Sequence, residues 1–269
     1  MSDISAANAA FWNELCGSAA ARALHITDAS PESLARFDQW YFELYPYLER
    51  HIPFPELAGK RVLEVGLGYG SVSQRLAGSG ALYHGLDIAE GPVEMVRHRL
   101  RQSALAGEVR QGSILDCPWE DGAFDHVVAI GCYHHTGNLE RALRETRRVL
   151  RPGGAATIMV YSAYSYRRWL RWPVTTARAL VAEQLGRQAP EASVRERAAY
   201  DAAQSGAAAP ETSFVSARAL RRMMNDWSRV RIVRENIGSE LFLKAVPRRW
   251  LLAVLGPWCG LDLYCRAVK

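Results

Sequence analysis

Between residues 61 and 161 the sequence alternates short apolar runs with segments of helical periodicity, and this alternation constrains the fold more than any other feature. The segments predicted as strands lie at 61–66, 82–87, 108–111, 124–131 and 155–161. Strands that alternate with helices of 10–15 residues are typical of βαβ units and a parallel sheet. The runs are nearly continuous in hydrophobicity, which indicates strands buried on both faces.

Helices are predicted before this core, and further helices and two more strands after it. Residues 1–56 carry apolar side chains at three- and four-residue spacings, which favours helices, one of them capped by Ser30 with Pro31 at its first position. After residue 161 the pattern predicts helices at 166–188 and 216–227, a loop or mobile lid at 189–213, and strands at 229–235 and 261–268.

The expected fold class is therefore α/β, with a seven-stranded, mostly parallel, doubly wound sheet. An N-terminal helical cap and a helical insertion after the fifth strand complete it. We divide the chain into a helical cap at 1–56, a Rossmann-like core at 57–162, a helical insertion or lid at 163–228, and final strands at 229–269.

Composition excludes several classes of protein. No apolar run reaches the roughly 18 residues that a membrane helix needs, and the first ten residues lack the basic start and long apolar stretch of a signal peptide. The five cysteines are scattered without a CxxC pair. This pattern argues against a disulfide framework or a cysteine zinc site and fits a reducing cytoplasm.

Charge is distributed unevenly along the chain. Residues 1–139 carry 10 Lys/Arg and 17 Asp/Glu, whereas residues 140–269 carry 23 and 11. A basic half could meet an anionic substrate, a membrane surface or nucleic acid. A solvated arginine-rich surface is the simpler interpretation, because no block of five or six like charges occurs.

A glycine-rich turn follows the first strand directly, in the sequence Gly66-Leu67-Gly68-Tyr69-Gly70. Glycines are needed where a chain turns sharply from strand to helix and its backbone approaches a ligand. The helix that follows offers its N-terminal N–H groups to that ligand. The spacing departs from the dinucleotide fingerprint G-x-G-x-x-G, because its third glycine position is Ser71.

The segment VLEVGLGYG, with Glu64 two residues before the first glycine, resembles motif I of class I S-adenosylmethionine (SAM)-dependent methyltransferases. Asp87 at the end of the second strand, the segment 111–125 and the segment LRETRRVLRPGG resemble that family's later motifs, in the family's order over roughly residues 60–162. The resemblance implies SAM as cofactor. A Rossmann-like domain that holds another nucleotide is the alternative.

The resemblance implies roles for particular residues. The loop would wrap the methionine part of SAM, Glu64 would orient its amino group, and Asp87 could accept hydrogen bonds from both ribose hydroxyls. Ser113 stands where the family often has an Asp for the adenine amino group, with Asp116 nearby. The implied cofactor residues are Glu64, Gly66, Gly68, Gly70, Asp87, Ile88, Ser113, Ile114 and Gly131.

The end of the fourth strand, Cys132-Tyr133-His134-His135-Thr136, resembles the family's "HH" variant, which lies beside the methyl group. His is the natural base near neutral pH, so Tyr133, His134 and His135 are the candidate catalytic residues. A histidine that only bonds to backbone is the alternative. We expect no metal site, because two adjacent histidines lack a third ligand at a suitable spacing.

Two groups of residues are candidates for binding the methyl acceptor. Tyr161, Tyr164, Tyr166 and Arg167 follow the fifth strand, where aromatic rings and a guanidinium could hold a planar or anionic molecule. The alternative there is an amphipathic helix with solvated arginines. In the N-terminal helices the candidates are Trp12 and Tyr41, for which ordinary helix packing is the alternative.

The resemblance implies methyl transfer from SAM to a small-molecule acceptor, anionic or aromatic, with the acceptor atom unresolved. Other SAM chemistry, such as an intramolecular cyclisation, would use the same fold. A nucleic-acid methyltransferase is disfavoured, since no [DNS]-P-P-[YF] segment or Pro-Cys nucleophile follows the fourth strand and no RNA-binding module is present. A non-catalytic binder is disfavoured because motif I and Asp87 are intact.

Overall fold

The computed structural model describes residues 3–15, 17–238 and 246–269. Its sheet has seven strands in the order β3-β2-β1-β4-β5-β7-β6. The first five strands in that order are parallel, and β7 runs antiparallel to both β5 and β6. The strands are β1 Arg61–Val65, β2 Leu82–Asp87, β3 Glu108–Gln111, β4 Phe124–Ile130, β5 Leu150–Tyr161, β6 Arg229–Glu235 and β7 Asp262–Val268. The predicted fold class and all seven predicted strands are confirmed.

Helices connect the strands and precede the sheet. Before β1 lie α1 Asp3–Trp12, α2 Ser18–Ala23, α3 Pro31–Leu44, α4 Leu48–His51 and a 3₁₀ turn at Phe54–Leu57. Between β1 and β5 lie α5 Ser71–Gly78, α6 Glu90–Gln102, 3₁₀ turns at Ile114–Asp116 and Tyr133–His135, and α7 Leu139–Val149. After β5 lie α8 Tyr166–Arg171, α9 Pro173–Gln184, α10 Val194–Ala198, α11 Ala217–Met223, α12 Arg248–Val254 and α13 Gly256–Cys259.

The sheet is covered on both faces. One buried cluster joins the sheet to α7 and α11, with Leu143 and Leu220 among its members. The other joins it to α5, α6 and α12, through side chains such as Leu76, Val96 and Leu252. Burial on both faces explains why the central strands are apolar throughout rather than alternating.

The register brings the carboxyl ends of three strands together. Val65 at the end of β1 pairs with Leu86 of β2 on one side and with Ala129 of β4 on the other. The chain order reverses at this point, because β2 and β3 lie to one side of β1 while β4 and β5 lie to the other. Open α/β sheets bind ligands at such a switch point, outside the carboxyl ends of the strands.

The insertion after β5 is more structured than its composition suggests. The helix predicted at 166–188 is two helices, because Pro173 cannot continue α8 and instead begins α9. The predicted loop at 189–213 contains α10, which begins with a capping box between Ser193 and Glu196. A buried ion pair of 3.0 Å between Arg168 and Glu196 fastens α10 to α8.

The described cysteines are unpaired, and the described helices do not fit a membrane span. The cysteines at 117, 132, 259 and 265 are free thiols, and Cys16 lies outside the described residues. Within the described ranges, every helix is too short or too polar to cross a bilayer.

Candidate functional site

A cavity of about 230 Å³ opens at the switch point, beside the carboxyl ends of β1, β2 and β4. The N-terminal helices α1 and α3 contribute residues to its opposite wall. Every residue predicted to contact the cofactor lines this cavity: Glu64, Gly66, Gly68, Gly70, Asp87, Ile88, Ser113, Ile114 and Gly131. The structure therefore brings together residues from the ends of four strands.

The turn after β1 requires glycine for two physical reasons. Gly66 and Gly70 have φ angles of +79° and +81°, in the left-handed region that side chains disfavour. A Cβ on Gly66 would lie 2.5 Å from Cβ of Cys132, and one on Gly70 would lie 2.8 Å from Cδ of Arg99. The loop can thus pack against β4 and α6 only if these two positions lack side chains.

Asp87 ends β2 with its carboxylate turned toward the glycine loop. One oxygen accepts the N–H of Leu67 at 2.7 Å and the other accepts the N–H of Ala89 at 2.9 Å. Burial raises the pKa of this carboxyl, while these backbone donors favour its charged form. The backbone N–H groups of Ile88 and Gly68 also act on this carboxylate. A carboxylate accepts several hydrogen bonds at once, which suits a pair of vicinal hydroxyls.

Glu64 lies in β1, two residues before the loop, and is 3% exposed. Its carboxylate accepts a 2.6 Å hydrogen bond from the hydroxyl of Tyr83. Burial raises the pKa of Glu64 to about 7, against the opposing effect of hydrogen bonds from Ser73 and Tyr83. A cationic ligand group placed beside it would favour the ionised form.

The far end of the cavity is formed after β2 and β3 by Ile88, Ser113, Ile114 and Leu115. The Ser113 hydroxyl accepts the N–H of Leu115 at 3.2 Å and so caps the 3₁₀ turn. It retains a proton and a lone pair for a ligand. Asp116 is exposed and is not among the cavity residues.

Aromatic side chains from the N-terminal helices cover the cavity. The predicted residues Trp12 and Tyr41 both line it, together with four rings that we did not predict: Phe37, Trp40, Tyr45 and Tyr69. Phe37 stacks on Tyr69 of the glycine loop, with ring centroids 4.2 Å apart. Among the described residues that line the cavity there is neither Lys nor Arg.

Polar contacts hold the N-terminal helices against the core, and the sequence analysis did not predict them. The Asn8 side chain donates to the carbonyl of His135 at 2.6 Å, and the Asn13 side chain accepts the N–H of Gly91 at 2.8 Å. Arg99 of α6 makes a bidentate pair with Asp38 of α3, at 2.9 and 3.0 Å. These partners are distant in sequence, so no local motif indicates them.

The three predicted catalytic residues occupy different environments. His135 lines the cavity, and its ring centroid lies 4.7 Å from that of Trp12. His134 is fully buried and is not among the cavity residues; burial and the charge of His135 hold its pKa well below the usual value. Tyr133 points into the core, where its hydroxyl bonds to Thr146 at 2.6 Å.

The four acceptor candidates after β5 lie outside the cavity lining. Tyr161 stacks against His134, with centroids 3.9 Å apart. The Tyr164 hydroxyl donates to Glu183 at 2.5 Å, and the Tyr166 hydroxyl accepts the N–H of Gly238 at 2.9 Å. The Arg167 guanidinium lies 4.8 Å from the ring centroid of Tyr200. Each side chain is thus engaged by the insertion or the core.

Asp201, which follows α10, is the most notable residue that the sequence did not reveal. Its Oδ2 lies 3.5 Å from Nε2 of His135, and its Oδ1 accepts a 3.2 Å hydrogen bond from the Tyr161 hydroxyl. Together with His134 and His135 it groups three potential metal ligands. It lies in a segment predicted as loop or lid, where no periodicity indicates which residues point inward.

The cavity fits SAM on the evidence of its donor and acceptor groups. Asp87 offers free lone pairs beside the loop, Glu64 offers a buried acid, and Gly66 and Gly70 leave the backbone uncovered. The apolar side chains of Ile88 and Ile114 suit the faces of a planar base.

Comparison with known sequences agrees with this site. Residues 63–158 match a family model described as a methyltransferase domain. A demethylmenaquinone methyltransferase from Tropheryma whipplei is 30% identical over 122 residues, which cover 43% of this chain and 50% of that protein. A fatty-acid O-methyltransferase from Mycolicibacterium smegmatis is 39% identical over 101 residues, which cover 37% and 36%. The chain thus spans half or less of the length of these curated relatives.

Comparison with solved structures supports the fold. A SAM-dependent methyltransferase from Thermotoga maritima, described as a possible histamine N-methyltransferase, superposes with a TM-score of 0.52 at 16% identity. The superposition covers 88% of this chain and 95% of that one. The similarity therefore extends beyond the central residues that the family model matches.

Proposed function

We propose that the protein transfers the methyl group of SAM to a small-molecule acceptor. Residues 63–158 match a methyltransferase-domain model, and the fold is similar to that of a SAM-dependent methyltransferase. One observation carries the proposal. The nine residues predicted to contact SAM come from four separate strand ends, and all nine line a single cavity at the switch point of the sheet.

Different residues of the cavity would bind different parts of SAM. Asp87 would accept hydrogen bonds from the ribose hydroxyls, Glu64 would face the amino group, and the backbone of Gly66–Gly70 would cradle the methionine chain. When bound, the cofactor would supply a methyl group on a sulfonium: the acceptor would attack the methyl carbon in line, and S-adenosylhomocysteine would leave with the electrons of the broken C–S bond. The protein's task is therefore to fix the acceptor about 3 Å from that methyl group.

The wall formed by the N-terminal helices would select the acceptor. Trp12, Tyr41 and the rings around them present apolar faces, and no cationic side chain is among the described residues of the lining. Of the two acceptor types that the sequence left open, this wall favours an aromatic or otherwise apolar molecule over an anionic one. A demethylmenaquinone methyltransferase among the relatives agrees with that preference.

His135 is the predicted catalytic residue that we place beside the acceptor, because it alone of the three lines the cavity. Its ring nitrogens already face protein groups: Nδ1 lies 2.7 Å from the carbonyl of Glu211, and Nε2 lies 3.5 Å from Asp201. We therefore propose that His135 shapes the acceptor pocket through its ring. Tyr133 and His134 would act on the acceptor only through His135.

Two other functions predict different products. An intramolecular cyclisation of SAM would release methylthioadenosine instead of S-adenosylhomocysteine. A nucleic-acid methyltransferase would show turnover that falls steeply with salt, because phosphate contacts depend on counterion release. The aromatic lining without cations argues against the second of these.

Product analysis with labelled SAM tests the proposal. The purified protein is incubated with methyl-labelled SAM and a metabolite extract, and the label is followed by mass spectrometry. We expect one or a few apolar products to carry the label, with an equal amount of S-adenosylhomocysteine. Methylthioadenosine as the main product, or label found only in nucleic acid, would overturn the proposal.

A further inference from the structure

Behind the cavity, two adjacent histidines and one aspartate converge from distant parts of the chain. His134 and His135 lie in the 3₁₀ turn after β4, and Asp201 follows α10 in the insertion. One nitrogen from each histidine and one carboxylate oxygen all lie within 4.8 Å of one another. We refer to these three residues as the His-His-Asp cluster.

The cluster contains buried polar atoms that the described part of the chain leaves unsatisfied. His134 has no exposed surface, and neither of its ring nitrogens has a hydrogen-bond partner there. Nε2 of His135 and Oδ2 of Asp201 are likewise buried without a hydrogen bond. Buried polar groups are rarely left unpaired, because each then loses its interactions with water without compensation. One potential ligand atom from each of the three residues lies within 4.8 Å of the other two.

Hydrogen bonds around the cluster occupy one polar atom of His135 and one of Asp201 and leave the other for an ion. Nδ1 of His135 donates to the carbonyl of Glu211 at 2.7 Å, which leaves the lone pair on Nε2. The Tyr161 hydroxyl donates to Oδ1 of Asp201 at 3.2 Å, which leaves Oδ2 turned to the histidines. Metal-binding histidines and carboxylates characteristically make such outer hydrogen bonds through their other polar atom.

We propose that the His-His-Asp cluster binds one divalent transition-metal ion of the Zn²⁺ class. Two imidazole nitrogens and one carboxylate oxygen suit Zn²⁺ and its first-row neighbours, whereas Mg²⁺ and Ca²⁺ prefer oxygen ligands alone. Zn–ligand distances of about 2.0–2.2 Å place two ligands of a tetrahedral site about 3.3–3.6 Å apart. His135 and Asp201 already meet this requirement at 3.5 Å.

The proposed ion would fasten the insertion to the core. Asp201 belongs to the segment after α10, and both histidines belong to the exit of β4. The N–H of Ser213 also donates to the carbonyl of His134 at 2.8 Å, so the same segment is hydrogen-bonded to this exit. Because His135 lines the cavity as well, the ion would fix one wall of the acceptor pocket. The metal site does not depend on the proposed function.

Metal titration of the intact protein tests the site without any assay of turnover. Protein stripped with a chelator is titrated with Zn²⁺ by calorimetry and with Co²⁺ by visible absorption. We expect one equivalent to bind and the Tm to rise, because the ion stabilises the folded state alone. Asp201→Asn, which preserves the size of the side chain, is expected to lower the affinity at least about 100-fold.

Matched variants separate this site from other metal-binding groups. Tyr161→Phe removes the hydroxyl that donates the outer hydrogen bond to Asp201 and is expected to weaken binding about 10-fold. His25→Ala removes an exposed histidine and Cys132→Ser a neighbouring thiol, and both are expected to retain wild-type affinity. If Asp201→Asn binds Zn²⁺ as tightly as wild type, if Cys132→Ser abolishes binding, or if wild type binds no stoichiometric ion, the proposal is overturned.

Discussion

The ends of β1 and β2 and the end of β4 border the same cavity, yet they are constructed in different ways. At β1 and β2 the candidate cofactor residues lie on the strands and the loop that follows β1: Glu64, the glycines and Asp87. After β4 the environment of His135 depends on Asn8 of α1 and on Asp201 of the insertion, which are far apart in the sequence. A site defined by local geometry can be identified from sequence, whereas one assembled by tertiary contacts cannot.

Gly66→Val is expected to have the largest effect. It tests the claim that local backbone geometry defines the site at the end of β1. The left-handed φ angle and the 2.5 Å approach to Cys132 oppose any side chain at this position. We expect SAM affinity measured by calorimetry to fall about 100-fold or more. Gly78→Ala, where an added Cβ meets nothing within 4 Å, serves as the control and should bind SAM normally. If Gly66→Val and Gly78→Ala bound SAM with equal affinity, the glycine loop would not be part of the SAM site.

Trp12→Ala tests whether the N-terminal wall serves the acceptor and not the cofactor. We expect kcat/KM for the acceptor identified by product analysis to fall about 10- to 30-fold, since a large apolar surface is lost. SAM affinity should change by less than about threefold, because the cofactor contacts lie on the strand ends. Trp258→Ala, at an exposed tryptophan, controls for loss of an indole ring. If the variant lost SAM affinity but kept kcat/KM for the acceptor, Trp12 would contact the cofactor and not the acceptor.

The pH dependence of SAM binding tests the role of Glu64. Its pKa near 7 means that the carboxyl is mostly neutral at pH 5.5 and half ionised at pH 7. The ligand's amino group stays protonated over this range and favours the ionised form. We therefore expect affinity to rise about 10-fold from pH 5.5 to 7. Glu64→Gln should flatten this profile, whereas exposed Glu56→Gln should preserve it. A flat profile in wild type would contradict the assignment.

Ser193→Ala is expected to have the smallest effect. It tests whether the local stability of the insertion is independent of that of the glycine loop. Removal of the cap of α10 should lower the local stability of residues 194–201 by about 1 kcal/mol, measured by native-state hydrogen exchange. Ser30→Ala removes a cap of the same 3.3 Å geometry from α3 and should loosen that helix alone. If Ser193→Ala loosened the glycine loop as well, the two regions would not be energetically separate.

The sequence predicts the sheet and the cofactor residues because both depend on neighbours in the chain. Apolar runs of strand length mark β1, β4 and β5 most clearly, the glycine turn directly follows β1, and Asp87 ends β2. The 189–213 segment lacks such a pattern, so neither α10 nor the inward direction of Asp201 could be inferred. The contacts of Tyr161 and Arg167 could not be inferred for the same reason, since their partners Asp201 and Tyr200 come from that segment.

Calorimetric titration of SAM into wild type and Asp87→Ala, side by side, tests the central claim most directly. Two charge-assisted hydrogen bonds to the ribose would be lost in the variant, so we expect one SAM site in wild type and affinity at least about 100-fold lower in Asp87→Ala. Exposed Asp116→Ala should bind as wild type does. Equal SAM affinity in wild type and Asp87→Ala, or no binding to wild type, would contradict the assignment of this cavity.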